Sequence, residues 1–312
     1  LLNNKLTFST DIYSKKTLDI LYNVTASTIL GMTPSVQNAG TVLNKGVDFT
    51  IQHRNVIGDF SYGITANMSY VSNKIEKLAN VERDIANGLF VGYSLKSIYG
   101  YVVDGYFNTQ EEVDNYAKQP RTAKPGDLKL MDISGPDGVP DGIVNADYDR
   151  KIIGAQFPKY NFGFNINAQY KHVDFLLNMS GVGGIDRLVG GYQGNAFYHG
   201  SNPQEWMVKG KWTENNSNPA YPRFLVVGGG EQQFYTSTFR MYDASFLRIN
   251  DVQIGYTIPN SLIGATGISN LRVYGSIRNL ATFHNFLEGW DPERTSMYPA
   301  VRDFMVGVNI TF

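Results

Sequence analysis

The sequence contains no cysteine, and that absence excludes disulfides, thiolate nucleophiles and cysteine-ligated zinc or iron. Histidine is scarce. His53, His172, His199 and His284 follow no ligand or catalytic spacing, so they read as surface or interfacial side chains. No apolar run approaches the roughly 20 residues of a membrane helix. Charged residues make up 18% of the 312, against roughly 25% in soluble domains. A net charge of −1 offers no basic excess for nucleic acid or anionic lipid. No signal peptide opens the chain. Its start, LLNNKLTFSTDIY, runs almost at once into an alternating pattern, as the interior of a longer protein would.

What is abundant is Tyr (20), Phe (18) and Gly (32), a composition that suits strands and turns. Apolar and polar residues alternate with period two along most of the chain. Phe60, Tyr62, Ile64, Ala66, Met68 and Tyr70 oppose Ser61, Gly63, Thr65, Asn67 and Ser69. Phe162, Phe164, Ile166, Ala168 and Tyr170 oppose Asn161, Gly163, Asn165, Asn167 and Gln169. The chain ends with Phe304, Val306, Val308, Ile310 and Phe312 on one face. Noisier alternation covers about 5–14, 46–54, 173–182, 245–258 and 271–283, and 245–258 changes face near Asn250–Asp251, which predicts a bulge.

A soluble sheet usually sets Lys and Glu on its wet face. Here that face is mainly Asn, Gln, Ser, Thr and Gly, which suits a wet lumen, and strands of roughly 9–11 residues match a tilted membrane crossing. Connections alternate between short ones (NVIGD, KHV, PNSLIGATGISN) and long ones (about 20–45, 76–160, 183–244 and 284–303). Short turns at one rim and long loops at the other is the layout of an outer-membrane barrel. The expectation is an all-β chain: eight antiparallel transmembrane strands with short periplasmic turns and long extracellular loops. Two short helices are predicted inside the loops. TQEEVDNYAK carries a capping box from Thr109 to Glu112, and NPQEWMVKG has Asn202 as N-cap with Pro203 behind it.

The stretch 132–149, DISGPDGVPDGIVNADYD, holds five aspartates. Set against a calcium loop, Asp137, Asp141 and Asn145 fall on ligand positions and Gly142 on the turn. Val139 and Tyr148 fail, with Asp149 one residue late, while Asp132 and Ser134 could add oxygens. The competing reading is a run of tight turns in an outer loop. The glycines of VGGIDRLVGG (182–191) and VVGGGE (226–231) read as loop glycines rather than phosphate cradles. Trp206, Trp212, Tyr221 and Trp290, with Tyr192, Phe197 and Tyr198, are loop aromatics that could stack on a substrate or simply pack. Arg248, Arg272 and Arg278 face the lumen, either along a path or opposite carboxylates of a plug.

An ordered series of segments resembles the C-terminal part of SusC/RagA-type TonB-dependent transporters from outer membranes of Bacteroidetes. It comprises NAGTVLNKGVDF (38–49), SIYGYVVDGYFNTQEEVDNY (97–116), KPGDLKLMDISGPDG (124–138) and DRKIIGAQFPKYNFGFN (149–165). It continues through GKWTENNSNPAYPR (210–223), ASFLRINDVQIGYTIPNSL (244–262), ISNLRVYGSIRNLATF (268–283), GWDPE (289–293) and the terminal FMVGVNITF. The resemblance implies that residues 1–312 are about the last eight strands of a barrel of roughly 22, without its plug. It implies import of a glycan or peptide, driven through TonB, with a SusD-like surface lipoprotein over the outer mouth. No catalytic Ser/His/Asp set can be picked out, because Ser and Asp are too common and histidine too rare; no cofactor is required, and calcium in 132–149 is the one candidate. The terminal strand resembles the signal read by barrel-assembly machinery, and would also close the barrel. Rival readings are a surface or soluble β-protein that binds glycans through a calcium loop, and a passive porin.

Overall fold

A computed structural model describes residues 3, 5–23, 36–79, 81–85, 87–216, 218–225, 234–264, 267–294 and 298–312. The VVGGGE stretch lies outside the described residues. Two compact units emerge, one of residues 1–80, 157–185 and 243–312, the other of 81–156 and 186–242.

The first unit is a single sheet of eight strands: β1 (Leu6–Asn23), β2 (Val36–Ile57), β3 (Phe60–Leu78), β4 (Tyr160–Tyr170), β5 (Val173–Gly183), β6 (Phe246–Thr257), β7 (Asn270–His284) and β8 (Asp303–Thr311). Their order in the sheet is their order in the chain, and every neighbouring pair is antiparallel. The sheet is open, with β1 at one edge and β8 at the other.

Register turns the alternation of single strands into continuous faces. Phe8, Ile51, Ala66, Phe164, Met179 and Ile249 lie in one cross-strand row. Ile166, Leu177, Val252, Ile277 and Phe304 form the next. Ile249 and Val252 share a face only because the pairing skips Asn250: Met179 pairs with Ile249 and Asn178 with Asp251. The predicted bulge is there, and the Asn250 amide donates to Ser180 Oγ at 2.7 Å. The apolar face is bare to an extent a soluble sheet would not tolerate, with Val306 85%, Phe304 70% and Ile254 58% exposed. Tyr70 and Tyr160 meet at one end of the strands, rings 5.2 Å apart, and Phe60, Tyr170 and Tyr256 are exposed at the other. From Tyr160 to Tyr170, at about 3.4 Å per residue and a tilt of about 40–45°, the rise is about 25 Å, the height of a barrel's apolar band.

Polar rungs cross the opposite face. Asn73 donates to Asn44 at 2.6 Å, Ser69 to Asp48 at 2.5 Å and Asn165 to Asn178. Turns at the short rim follow expectation, with Ile57 pairing Phe60 and Tyr170 pairing Val173. At the long rim the expected loop 20–45 is mostly strand instead. β1 and β2 pair through Thr17–Val42 and on to Asn23–Val36, and 24–35 lies outside the described residues. Past the bilayer no apolar face is needed, so the signal fades into charge (SKKTLD). There Lys16 pairs with Glu76 at 2.8 Å while the ladder continues.

The second unit is folded around its own cores. Strands Ser97–Tyr101 and Arg150–Ala155 pair, as do Val103–Tyr106 and Leu128–Leu130. Tyr101, Leu128, Leu130 and Val144 form one buried cluster, and Ala196, Met207 and Tyr221 another.

The two faces of β8 give a direct test. Phe304→Lys places a charge on the apolar face near mid-membrane and should cost about 2–4 kcal/mol, lowering the level of assembled barrel. Met305→Lys, next in sequence on the polar face, should assemble normally. Heat-modifiable gel mobility reads both, and equal behaviour of the two variants would contradict the facing.

Candidate functional site

The long connections supply the candidate residues. Asp149 is fully buried. Its Oδ1 accepts from the amides of Ile133 (2.8 Å) and Ser134 (3.1 Å), and its Oδ2 from Asn145 (2.7 Å). Asp132 Oδ2 accepts from Gly142 N at 2.6 Å, and Asp141 closes a turn onto Ile143 N at 2.9 Å. The carboxylates of Asp132, Asp141 and Asp149 thus serve as acceptors for the loop's own amides, the arrangement that lets a glycine- and proline-rich segment keep a fixed path. Among the described residues no three acidic or histidine side chains converge as a metal group. Asp132 Oδ1 is the exception to the bonding, buried and without a partner.

The aromatic candidates divide. Tyr221 is 1% exposed. Its hydroxyl accepts from Ala196 N at 2.9 Å and donates to Gly194 O at 3.3 Å. Burial raises the pKa of its phenol above the ordinary value. The expectation that Tyr221 meets substrate is corrected: its ring has no free face. Trp206 packs edge-on against it at 5.5 Å, and its indole donates to Gln204 Oε1. Gln204, held extended, is also where the second helix starts: Glu205–Gly210 begins two residues later than Asn202 would set it. The first helix, Gln110–Asn115, follows its capping box, with Thr109 Oγ1 accepting from Glu112 N at 3.1 Å. Trp212 lies over the turn at Gly126, whose φ of +89° and missing Cβ, which would stand 2.6 Å from the indole, both require glycine. Trp290 is half-buried in the turn from Leu287. Tyr192, Tyr198 and His199 cluster instead, with Tyr192 and Tyr198 rings 4.9 Å apart and Tyr192 exposed. Adjacent aromatics in a glycine-rich loop were the available signal for that group.

Two of the three inward arginines are engaged within the wall. Arg272 forks onto Asp174 at 2.8 and 2.5 Å. Arg248, 8% exposed, holds Asp291 (2.6 Å), Glu293 (2.7 Å) and Thr282 (3.1 Å), which ties the GWDPE turn to β6. Burial pushes the Asp291 carboxyl up, but the amide of Glu293, the Arg248 guanidinium and the amide of Arg294 outweigh it and leave the pKa below the ordinary range. Arg278 makes no ion pair among the described residues. The histidines are dispersed as expected: His53 lies against Tyr62, His172 against Tyr256, and His284 Nδ1 accepts from Phe286 N.

An antiparallel meander with one apolar and one polar face, joined alternately by short turns and long folded connections, is a segment of an outer-membrane-type β-barrel wall. No family model matches the chain. Similarity to individual proteins is nonetheless extensive. TonB-dependent receptor P3 of Formosa agariphila is 30% identical over 343 residues, covering 100% of this chain and 33% of the receptor. TonB-dependent receptor SusC of Bacteroides thetaiotaomicron is 24% identical over 339 residues, covering 100% and 30%. The RagAB peptide importer in its closed-closed state matches with a TM-score of 0.78 at 25% identity, covering 100% of this chain and 34% of that one. Along its whole length the chain is therefore similar to a portion of the SusC/RagA-type TonB-dependent receptors, and it spans about a third of their length.

Removing the carboxylate in Asp149→Ala strands three amides, a loss of about 1–3 kcal/mol for each uncompensated group, and should open 132–149 to protease while barrel assembly is unchanged. Arg248→Gln leaves two carboxylates without their cation and should speed hydrogen exchange across 285–294. The pH dependence has a defined sign. A depressed carboxyl pKa stabilises above the ordinary value near 3.8 and is lost as pH falls through the lower folded value. Exchange at 285–294, corrected for its intrinsic pH dependence, should stay slow from neutral pH to about pH 4 and accelerate only in stronger acid.

Proposed function

We propose that the chain supplies barrel wall and outer loops of a TonB-dependent importer in a bacterial outer membrane, taking up a glycan or peptide beneath a SusD-like surface lipoprotein. The observation that carries it is the unbroken apolar face of eight consecutive strands, set on a chain that is similar throughout its length to TonB-dependent receptors. SusC and a peptide importer among the similar proteins support import over passive diffusion. In this reading the chain performs no catalysis. The wall provides a wet, polar inner surface, the loops present polar and aromatic groups to cargo, and energy reaches the cargo through a plug and TonB. The terminal strand, with Phe304, Val306, Val308, Ile310 and Phe312 exposed on one face, is the part that barrel-assembly machinery would read.

One observation favours a cation in the acidic loop: Asp132 Oδ1 is buried without a hydrogen-bond partner, an arrangement that costs free energy unless something compensates it. Calcium would then order the loop and catalyse nothing. Calcium addition or chelation should shift cleavage within 132–149, and indifference to both would remove the cation from the account.

Fractionation and uptake together test the main reading. The full-length protein should leave membranes only with detergent. Cells carrying it should accumulate an oligosaccharide or oligopeptide in a manner lost on deleting TonB or the neighbouring lipoprotein gene. Solubility without detergent, or uptake independent of TonB, would contradict it.

A further inference from the structure

Within the second unit, Tyr101 lies opposite Arg150 in the strand pair Ser97–Tyr101 and Arg150–Ala155, and the Tyr101 amide donates to Thr236 O at 2.9 Å. With residues 118–120 and 143–146, these segments line a cavity of about 760 Å³, within the 300–1,000 Å³ usual for ligand sites. Its walls carry flat rings. Tyr101 and Tyr235 stack at 5.6 Å with an interplanar angle of 29°, and Tyr99 stands beside them. They also carry two cations, Lys118 and Arg150.

Those cations are unlike the other partly buried arginines. Arg223 is forked onto Asp127 and Arg240 donates to the carbonyls of Val189 and Phe234. Arg150 donates Nε to Ala146 O at 2.7 Å and lies 5.1 Å from the Tyr99 ring centroid. That fixes the guanidinium plane and leaves its two terminal nitrogens. Among the described residues neither Arg150 nor Lys118 makes an ion pair. The carboxylate next in sequence, Asp149, has its oxygens on the amides of Ile133, Ser134 and Asn145. An immobilised guanidinium and an ammonium outside any ion pair among the described residues, beside phenol faces, match a carboxylate attached to a ring or to a planar amide.

We propose that this cavity recognises a carboxylate-bearing ligand, with the carboxylate between Arg150 and Lys118 and the adjoining ring or amide against Tyr99, Tyr101 and Tyr235. This deepens the importer reading, on which it rests for the ligand's being cargo. A uronic-acid saccharide and a peptide C-terminus share the required group.

The full-length protein in detergent should be titrated calorimetrically with digalacturonate, neutral digalactose of the same linkage, and a pentapeptide with either a free or an amidated C-terminus. At least one carboxylate probe should bind about ten-fold or more tightly than its neutral counterpart. Arg150→Gln should abolish that preference, and so should Lys118→Gln, an exposed position where folding is not at stake. Preference for the uronate alone identifies an acidic saccharide, and preference for the free-acid peptide alone identifies a peptide end. Equal binding of charged and neutral probes, no binding of any, or an unchanged preference in Lys118→Gln overturns the proposal. The importer reading fails separately: carboxylate preference with TonB-independent uptake leaves the cavity standing, and TonB-dependent uptake without carboxylate preference removes the cavity alone.

Discussion

A backbone that crosses hydrocarbon must satisfy every N–H and C=O within the protein, because lipid offers no partner. That constraint shapes the first unit. Each strand is paired on both sides except at β1 and β8, where the sheet is open. Once the ladders are fixed, side-chain facing follows from the pleat, and one bulge at Asn250 suffices to keep β6 in phase. The polar face then needs its own bonding, which the amide and hydroxyl rungs Asn44–Asn73, Asp48–Ser69 and Asn165–Asn178 provide. Two arginines on that face are neutralised locally, Arg272 by Asp174 and Arg248 by Asp291 and Glu293, while Arg54 and Arg278 stand outside any ion pair among the described residues.

In the second unit side chains take over work that a ladder would do. The Gln119 amide both accepts from Leu130 N and donates to Leu130 O at 3.0 Å, mimicking a strand partner. Asp149 gathers three amides. Tyr221 links Ala196 and Gly194 from inside an aromatic cluster with Trp206, Phe224 and Phe239. Buried polar groups that are fully bonded give a loop one path rather than many, and the cavity beside Tyr101 depends on that rigidity.

Much of the barrel wall was legible because lipid imposes a strict period: all eight strands, their sequential order, the short turns and the Asn250 bulge could be read from alternation. Where the lipid ends, the period ends too. That is why the charged ends of β1 and β2 read as loop although they remain paired. The folded second unit was hidden for a related reason. Its cores join residues such as Leu130 and Val144, or Met207 and Tyr221, through irregular backbone, and no periodicity marks them. Composition likewise cannot show that oxygens of Asp132, Asp141 and Asp149 accept from the loop's own amides. Tyr221 pointed to substrate because composition cannot show burial.

The facing of the strands is the central claim, and the absence of native cysteine from the chain makes it directly measurable. Single cysteines placed one at a time from residue 161 to 168 of the membrane-reconstituted full-length protein, with any cysteine outside residues 1–312 replaced, can carry a nitroxide. Its collisions with oxygen, which concentrates in lipid, and with a water-soluble nickel chelate are then compared. The account predicts a period of two, with oxygen dominant at 162, 164, 166 and 168 and suppressed at 161, 163, 165 and 167. Uniform access to the nickel chelate, or no alternation, would show that this face does not meet lipid.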